Sequence, residues 1–189
     1  MSKTQWIQAY CARVSRNFSA LEQQSIEIET AAYCVKSAIE GGGKIMLCGN
    51  GGSAADAQHI AAEFVGHFMG DREALPALAL TTDSSILTSV GNDLGFKNIF
   101  SRQVSALGKP SDILIAISTS GNSENIINAA QAAKHIGIKT IALTGQKPSK
   151  LSALCDLVLQ VPSDETNHIQ EMHIAIVHMI CAIAEGSAE

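Results

Sequence analysis

The sequence is poor in aromatic and charged residues, and these shortages narrow the possible functions. Aromatic side chains make up 4% and charged side chains 16% of the 189 residues, whereas apolar residues make up 46%. This balance is typical of a globular chain with a covered core rather than of a disordered chain. The formal net charge is −5 and no basic stripe occurs, which disfavours nucleic acid as a partner.

Several other features are missing as well. No apolar run reaches the roughly 20 residues of a membrane span, and the opening stretch MSKTQWIQAY lacks the apolar centre of a secretory signal. We therefore expect a cytoplasmic protein with no membrane partner. The five cysteines are scattered and never adopt CxxC spacing, which is typical of free thiols in a reducing compartment. GxGxxG and GxxxxGK[ST] are also absent, which disfavours NAD, ATP and other nucleotide cofactors.

Short apolar strands alternate with helices from residue 44 onward, which predicts an α/β fold with a mainly parallel sheet. The predicted strands are residues 44–49, 77–82, 112–118, 139–145 and 156–162, and the predicted helices are 53–69, 84–105 (broken), 123–136, 149–154 and 168–185. We expect one domain over 1–189, of which 1–42 form a helical extension. The extension carries Trp6, Tyr10 and Phe18. The pattern leaves open whether these pack against another subunit or against the chain's own body.

Ligands of parallel α/β sheets bind beyond the carboxyl ends of the strands, and the third strand ends in the hydroxyl-rich segment ISTSGNSENI. Its loop carries four hydroxyl side chains around Gly121, namely Ser118, Thr119, Ser120 and Ser123. Backbone N–H groups of such a loop and of the following helix N-terminus favour an anion. The segment therefore predicts a phosphate cradle, although Ser123 by itself could also be an ordinary helix cap.

The helix after the first strand carries His59 and Glu63 four residues apart, which puts them about 6 Å apart on one face. Such a pair can bind a metal or act as acid and base, or it can form an ordinary solvated face. In the last helix Gln170, His173 and His178 lie among apolar residues, where a lone histidine is usually part of the core. Gln170 and His178 are separated by about 12 Å of helix rise, which favours His178 as the direct metal ligand.

Six segments occur together and in one order: CGNGGSAADAQHIAAEF, SVGNDLGF, FSRQV, ISTSGNSENI, ALTG and IQEMHIAIVH. Over about residues 40–180 the chain thereby resembles the sedoheptulose-7-phosphate (phosphoheptose) isomerases of the sugar isomerase (SIS) domain superfamily. The resemblance implies a three-layer αβα sandwich with a five-stranded parallel sheet, and a homotetramer with active sites at subunit interfaces. It also implies conversion of sedoheptulose 7-phosphate to D-glycero-D-manno-heptose 7-phosphate, the first step toward ADP- or GDP-heptose for lipopolysaccharide and other surface glycans.

The resemblance further implies the residues of the site. The residues it assigns to substrate binding are Asn50, Gly51, Gly52, Ser53, Glu63, Asn92, Asp93, Ser118, Thr119, Ser120, Ser123 and Gln170. Those it assigns to one zinc ion per subunit are His59, Glu63, Gln170 and His178. Glu63 and His178 match the catalytic positions. The chain departs from residues common in the family at His67, Asn167 and His168, which leaves rate and substrate preference open.

Ketose–aldose conversion moves a proton between C1 and C2 through an enediol, and it needs a base and an acid. We assign the base to Glu63 and the acid to His178, and the opposite assignment stays open, as does whether zinc is catalytic or orienting. The alternative function is that of a non-catalytic paralogue that binds the replication initiator protein and lacks the catalytic carboxylate and histidine. The presence of both residues favours the enzyme. Arabinose-5-phosphate isomerases and sugar-phosphate-sensing regulators carry further domains for which this chain has no room.

Overall fold

The computed structural model of the chain describes residues 1–188 and shows the predicted alternation of helices and strands. The helices are α1 Lys3–Leu21, α2 Ser25–Glu40, α3 Gly52–Val65, α4 Ser84–Leu94, α5 Ser101–Leu107, α6 Glu124–Ile136 and α7 Thr166–Glu185, with short 3₁₀ turns at Glu22–Gln24 and Phe96–Asn98. The strands are β1 Ile45–Cys48, β2 Ala77–Ala79, β3 Ile113–Ile117, β4 Lys139–Thr144 and β5 Leu157–Gln160. Among the described residues, none of the helices combines the length and apolar character that crossing a membrane requires.

The five strands form one parallel sheet in the order β2-β1-β3-β4-β5. β2 lies on one side of β1, whereas β3, β4 and β5 follow one another on the other side. The direction in which strands are added therefore reverses between β1 and β3. In sheets of this kind the crevice at the reversal point, outside the carboxyl ends of the strands, receives the ligand. The loops that follow β1 and β3 adjoin this crevice.

Helices cover both faces of the sheet, because both faces of the central strands are apolar. Ile45 and Leu47 of β1 belong to a core shared with α2, α3 and α7, while Met46 and Cys48 belong to a second core shared with α5 and α6. The strands β1 and β3 are buried along their whole length. The predicted three-layer sandwich with a five-stranded parallel sheet is confirmed.

The helical extension packs mainly against the last helix rather than against the sheet. The Tyr10 hydroxyl of α1 donates a hydrogen bond to Glu171 and accepts one from the Asn167 side chain at 2.9 Å. Trp6 and Ile7, by contrast, remain 54% and 55% exposed. The extension therefore contacts the chain's own body on one side and presents an apolar surface on the other.

The helix predicted over 149–154 is wrong, because this segment forms successive turns. The Ser149 N–H donates to the Ser152 hydroxyl at 2.9 Å, and the Ser152 N–H donates to the Ser149 hydroxyl at 3.1 Å. Such local side-chain bonds compete with the helical ladder. The break predicted within 84–105 is confirmed, and Gly95 at the end of α4 has a φ of 86° that a residue with a side chain rarely adopts.

Candidate active site

The loops after β1 and β3 are joined by a pair of amide side chains. Asn50 Nδ2 donates to Asn125 Oδ1 at 2.9 Å, and Asn125 Nδ2 donates back to Asn50 Oδ1 at 2.8 Å. Gly51 and Gly121 have φ values of 55° and 63° in the two loops, so each loop turns at a residue that tolerates this conformation. Asn125, which is buried in the first turn of α6, was not among the predicted site residues. The sequence did offer one indication of its role, namely an amide side chain at a position of α6 that faces the core.

The hydroxyl-rich loop lies between β3 and the N-terminus of α6. Ser118, which is buried, donates a hydrogen bond from Oγ to Ser123 Oγ at 3.2 Å. Ser123 occupies the N-cap position of α6, but its side chain makes no capping hydrogen bond. Its hydroxyl is therefore directed into the loop. Thr119 and Ser120 line an adjoining cavity of about 310 Å³, which is room for a small anionic group.

Three metal-ligating side chains converge where α3 and α7 lie side by side. His59 Nε2 is 3.0 Å from His178 Nε2 and 3.3 Å from Glu63 Oε1, and one ligand atom from each of the three lies within 4.8 Å of the others. Burial lowers the pKa of His178, and nearby His59 lowers it further, while Glu63 opposes the shift. The imidazole is thereby favoured in its neutral form, which can bind a metal through one nitrogen while the other nitrogen still carries a proton that it can donate.

Gln170 lies at the other end of this helix pair. A Cβ atom placed on Gly52 would be only 2.6 Å from Gln170 Nε2, so the amide packs directly on the backbone that opens α3. Ser53, the next residue, is buried. About 12 Å of rise along α7 separates Gln170 from His178. The structure thus brings Gln170 to the glycine turn, and its role as a metal ligand stays a prediction.

Asn92 and Asp93 are exposed near the end of α4. The Asn92 side chain donates to Asp93 Oδ1 at 2.7 Å. Within the part of the chain that the structure describes, no side-chain hydrogen bond joins either residue to the two loops or to the His59–Glu63–His178 group. Their role in substrate binding stays a prediction that one chain alone does not test.

Two residues close to the converging side chains, Phe68 and Asp56, were not among the predicted site residues. The Phe68 ring stacks on the His178 ring, with centroids 5.1 Å apart and planes inclined by 13°. Asp56 lies one turn before His59 on α3, and burial raises the pKa of its carboxyl group, with His59 opposing. Its spacing of three and seven residues from His59 and Glu63 was a usable sign, since such residues share a helix face.

The three departures from common family residues have different surroundings. His67 is exposed beyond α3, whereas His168 is buried and its Nδ1 lies 2.8 Å from Glu171 Oε2. Asn167 donates to the Tyr10 hydroxyl of α1. The replacements at 167 and 168 therefore belong to the contact between the helical extension and the first turn of α7.

Comparison with known proteins agrees with this geometry. The SIS domain family model matches residues 9–145, so the fold and the site define a SIS-domain protein. The chain is 50% identical over 181 residues, covering 96% of each chain, to the phosphoheptose isomerase of Rhodospirillum rubrum. The chain is also similar to two solved structures of phosphoheptose isomerases, from Neisseria gonorrhoeae (TM-score 0.93, 42% identity) and Francisella tularensis (TM-score 0.95, 40% identity). Each match covers 98% of this chain and 100% of the other chain. The chain belongs to the phosphoheptose isomerase family, as its sequence motifs predicted.

Proposed function

We propose that the chain is a sugar-phosphate isomerase that converts sedoheptulose 7-phosphate to D-glycero-D-manno-heptose 7-phosphate, the first step toward ADP- or GDP-heptose for surface glycans. The observation that carries the proposal is the convergence of His59, Glu63 and His178 in a fold where a hydroxyl-rich anion loop follows the neighbouring strand. The 50% identity to a phosphoheptose isomerase over nearly the whole chain supports the same reaction.

The reaction moves one proton from C1 to C2, and the other changes occur at oxygen. Glu63 removes the C1 proton while His178 protonates the carbonyl oxygen at C2, which gives the enediol. Return of a proton to C2 and loss of the proton from the C1 hydroxyl then give the aldehyde, so atoms and electrons balance. The Glu63 side chain is 22% exposed, and partial exclusion of water suits a carboxylate that must accept a proton from carbon.

Proton exchange with solvent separates the two possible assignments of base and acid. In deuterated water, a Glu63→Gln enzyme should no longer exchange the C1 hydrogen of sedoheptulose 7-phosphate, whereas a His178→Gln enzyme should retain slow exchange. The opposite pattern would give the base to His178. The hydroxyl groups of Ser118 and Ser123 and the N-terminus of α6 hold the phosphate in this proposal, which fixes the pose of the reacting carbons.

The residues fit a zinc ion. Ligand atoms about 2.0–2.1 Å from zinc in a tetrahedral site are about 3.3 Å from one another, close to the 3.0 and 3.3 Å separations of the His59, His178 and Glu63 atoms. Two imidazoles and a carboxylate are also a donor set that zinc prefers. We propose that these three residues hold the ion. The predicted fourth ligand, Gln170, packs on Gly52 at the other end of the helix pair, so its side chain would have to turn toward them to bind the ion. When bound, zinc would stabilise negative charge on a substrate oxygen.

We also propose a homotetramer whose subunits share active sites. The helical extension leaves Trp6 and Ile7 exposed, and an apolar groove of about 380 Å³ lies between α1, α2 and α7. Asn92 and Asp93 lack a hydrogen bond to the rest of the predicted site within the described chain, which is consistent with a site completed by a second subunit. Mixing inactive Asp93→Ala and Glu63→Gln subunits should then restore part of the activity. The proposed location is the cytoplasm, where the five free cysteines remain thiols.

The deciding experiment is an isomerase assay on sedoheptulose 7-phosphate, paired with measurement of bound metal before and after chelation. We expect turnover, about one zinc ion per chain, and loss of turnover on chelation that zinc restores. Absence of turnover in a folded, zinc-loaded protein would overturn the proposal. A pull-down with the replication initiator protein tests the alternative, which no feature of the site favours because both Glu63 and His178 are present.

A further inference from the structure

A buried ion pair fixes the segment that follows α3. The Glu185 carboxylate, in the last turn of α7, accepts backbone N–H groups of Phe68, Met69 and Gly70 at 3.3, 2.8 and 3.2 Å, and it pairs with Arg72 Nε at 2.9 Å. The Glu185 side chain is 1% exposed. Burial alone would raise its pKa, but the hydrogen bonds from the backbone and from Arg72 prevail and lower the pKa to about 2.

Arg72 ties the same segment to the end of α3. Its guanidinium donates to the carbonyl oxygens of Glu63 and Phe64, each at 2.9 Å, and of Gly66 at 3.2 Å. The last carbonyls of a helix have no partner inside the helix, and a cation beside them is favoured by the helix dipole. The exit of α3 is therefore held from both sides, by Arg72 and by Glu185.

This arrangement determines where the Phe68 ring lies. Glu185 is seven residues beyond His178, which places both on one face of α7. By binding the Phe68 N–H, Glu185 brings the ring flat onto His178, at 5.1 Å between centroids and 13° between planes. Among the described residues, His178 Nδ1 has no protein hydrogen-bond partner. Within the described chain, the contact that orients His178 is therefore the Phe68 ring rather than a hydrogen bond to the second nitrogen, which is the usual contact for a metal-ligating histidine.

We propose that Phe68 is a positioning residue for His178. Its ring replaces that missing hydrogen bond and holds the imidazole so that Nε2 faces His59 and Glu63. Arg72 and Glu185 act through Phe68 by fixing the loop that carries it. The inference deepens the proposed function, on which its catalytic part rests, whereas the metal-binding part rests only on the geometry of the three converging side chains.

Phe68→Leu tests this inference, because it keeps an apolar side chain of similar reach and removes the flat ring. Zinc affinity should fall about ten-fold, the size of effect seen when groups that orient metal ligands are changed. In the isomerase assay kcat should fall by a similar factor with KM unchanged. Phe68→Tyr keeps the aromatic ring, so its zinc affinity and kcat should equal those of the wild type. The control is Met69→Leu, at a neighbouring side chain that is 67% exposed, and we expect wild-type values for it.

A purely structural role predicts something different, namely lower thermal stability with zinc affinity and kcat of the folded protein unchanged. If Phe68→Leu matches Met69→Leu in zinc affinity and kcat, the inference is overturned. If the wild type binds zinc but lacks isomerase activity, the proposed function fails, and zinc affinity alone decides the role of Phe68. Glu185→Gln provides a second variant, since the amide still accepts N–H bonds but loses the charge. It should weaken zinc binding in the same direction, and an unchanged affinity would remove Glu185 from the proposal.

Discussion

His59 and His178 are 119 residues apart in the sequence, yet their Nε2 atoms lie 3.0 Å apart. The two rings meet edge to face, with centroids 5.2 Å apart and planes inclined by 71°. Two nitrogens at this distance can share one proton, or both lone pairs can face one cation. The contact therefore links the protonation of the site to its metal content, and both can be tested.

Zinc should stabilise the folded protein through this contact. At a free concentration 100 times the dissociation constant, binding to the native state alone contributes about 2.7 kcal/mol, which thermal denaturation detects as a rise in Tm. The rise should be lost in His59→Gln and retained in His135→Gln, whose parent side chain is exposed on α6. An equal rise in all three proteins would mean that zinc binds elsewhere.

Glu63→Gln and His178→Gln should each lower kcat by about 10²–10⁴-fold, the usual contribution of a positioned acid or base. Both side chains are partly exposed, so we expect folded proteins that still bind substrate. Steady-state kinetics with circular dichroism as a folding control checks this expectation. Activity within a few-fold of wild type in either variant would show that the residue is not the acid or the base.

Gly52→Ala should raise KM because the new methyl group would collide with the Gln170 amide, at 2.6 Å from Nε2. The end of a glutamine side chain can move aside, so we expect little change in Tm and about a ten-fold rise in KM, equivalent to about 1.4 kcal/mol. In a Gln170→Ala background the same substitution should have almost no further effect, because the colliding group is gone. Additive effects on KM would contradict the proposed contact.

Ser118→Ala and Ser123→Ala should weaken substrate binding, because both hydroxyl groups are proposed to bind the phosphate. The two hydroxyl groups are also hydrogen-bonded to each other in the loop after β3. Loss of one hydrogen bond to a charged group costs about 1.5–3 kcal/mol, so we expect at least a ten-fold rise in KM. The inhibition constant for inorganic phosphate should rise in parallel. Ser111→Ala, at the opposite end of β3, serves as the control and should leave both constants unchanged.

His173 should make stability depend on pH. It is fully buried in α7, and burial lowers its pKa from 6.5 to about 4. Between these values the unfolded chain binds a proton that the folded chain does not. The contribution of His173 to the free energy of unfolding is therefore fully present above pH 6.5 and is lost as the pH decreases. By pH 4 the loss is about 3 kcal/mol.

Urea denaturation across this range measures the effect. His173→Leu should remove this part of the pH dependence. It should cost little at pH 7, because within residues 1–188 neither buried ring nitrogen forms a hydrogen bond of good geometry, and the Thr144 backbone only partly opposes the effect of burial. The exposed His135 supplies the control variant, His135→Gln, which should keep the wild-type slope. A wild-type slope in His173→Leu would show that His173 takes up its proton at the same pH in the folded and the unfolded chain.

The sequence predicted most of the fold, because strands buried on both faces are continuously apolar and stand out from the helices around them. The predicted helix at 149–154 failed because the Ser149 and Ser152 hydroxyls replace the helical ladder, and propensity alone does not show this. The spacing of His59 and Glu63 placed both on one helix face. Their meeting with His178 depends on α3 and α7 lying side by side on the sheet, which only the resemblance to a family implied.

The parts of the site that sequence reasoning missed are those fixed by tertiary packing. Phe68 lies beside His178 in a segment whose backbone binds Glu185, more than a hundred residues away. The core-facing position of Asn125 on α6 was a sign of a buried partner, but it did not show that this partner is Asn50, in the loop after the neighbouring strand. Asn92 and Asp93 remain predictions, because one chain does not show what a second subunit brings to them.

The parallel sheet has a consequence for how the molecule assembles. Parallel neighbours cannot be joined by tight hairpins, so each strand pairing must close a long loop; Lys44 and Asp112, whose contact adjoins the β1–β3 pairing, are 68 residues apart. Chains dominated by such distant pairings fold slowly. His178 lies on α7, which follows all five strands in the sequence, so it is synthesised after them. We therefore expect the site to be completed only after the sheet has formed, because Glu63 and His178 meet when α7 packs beside α3.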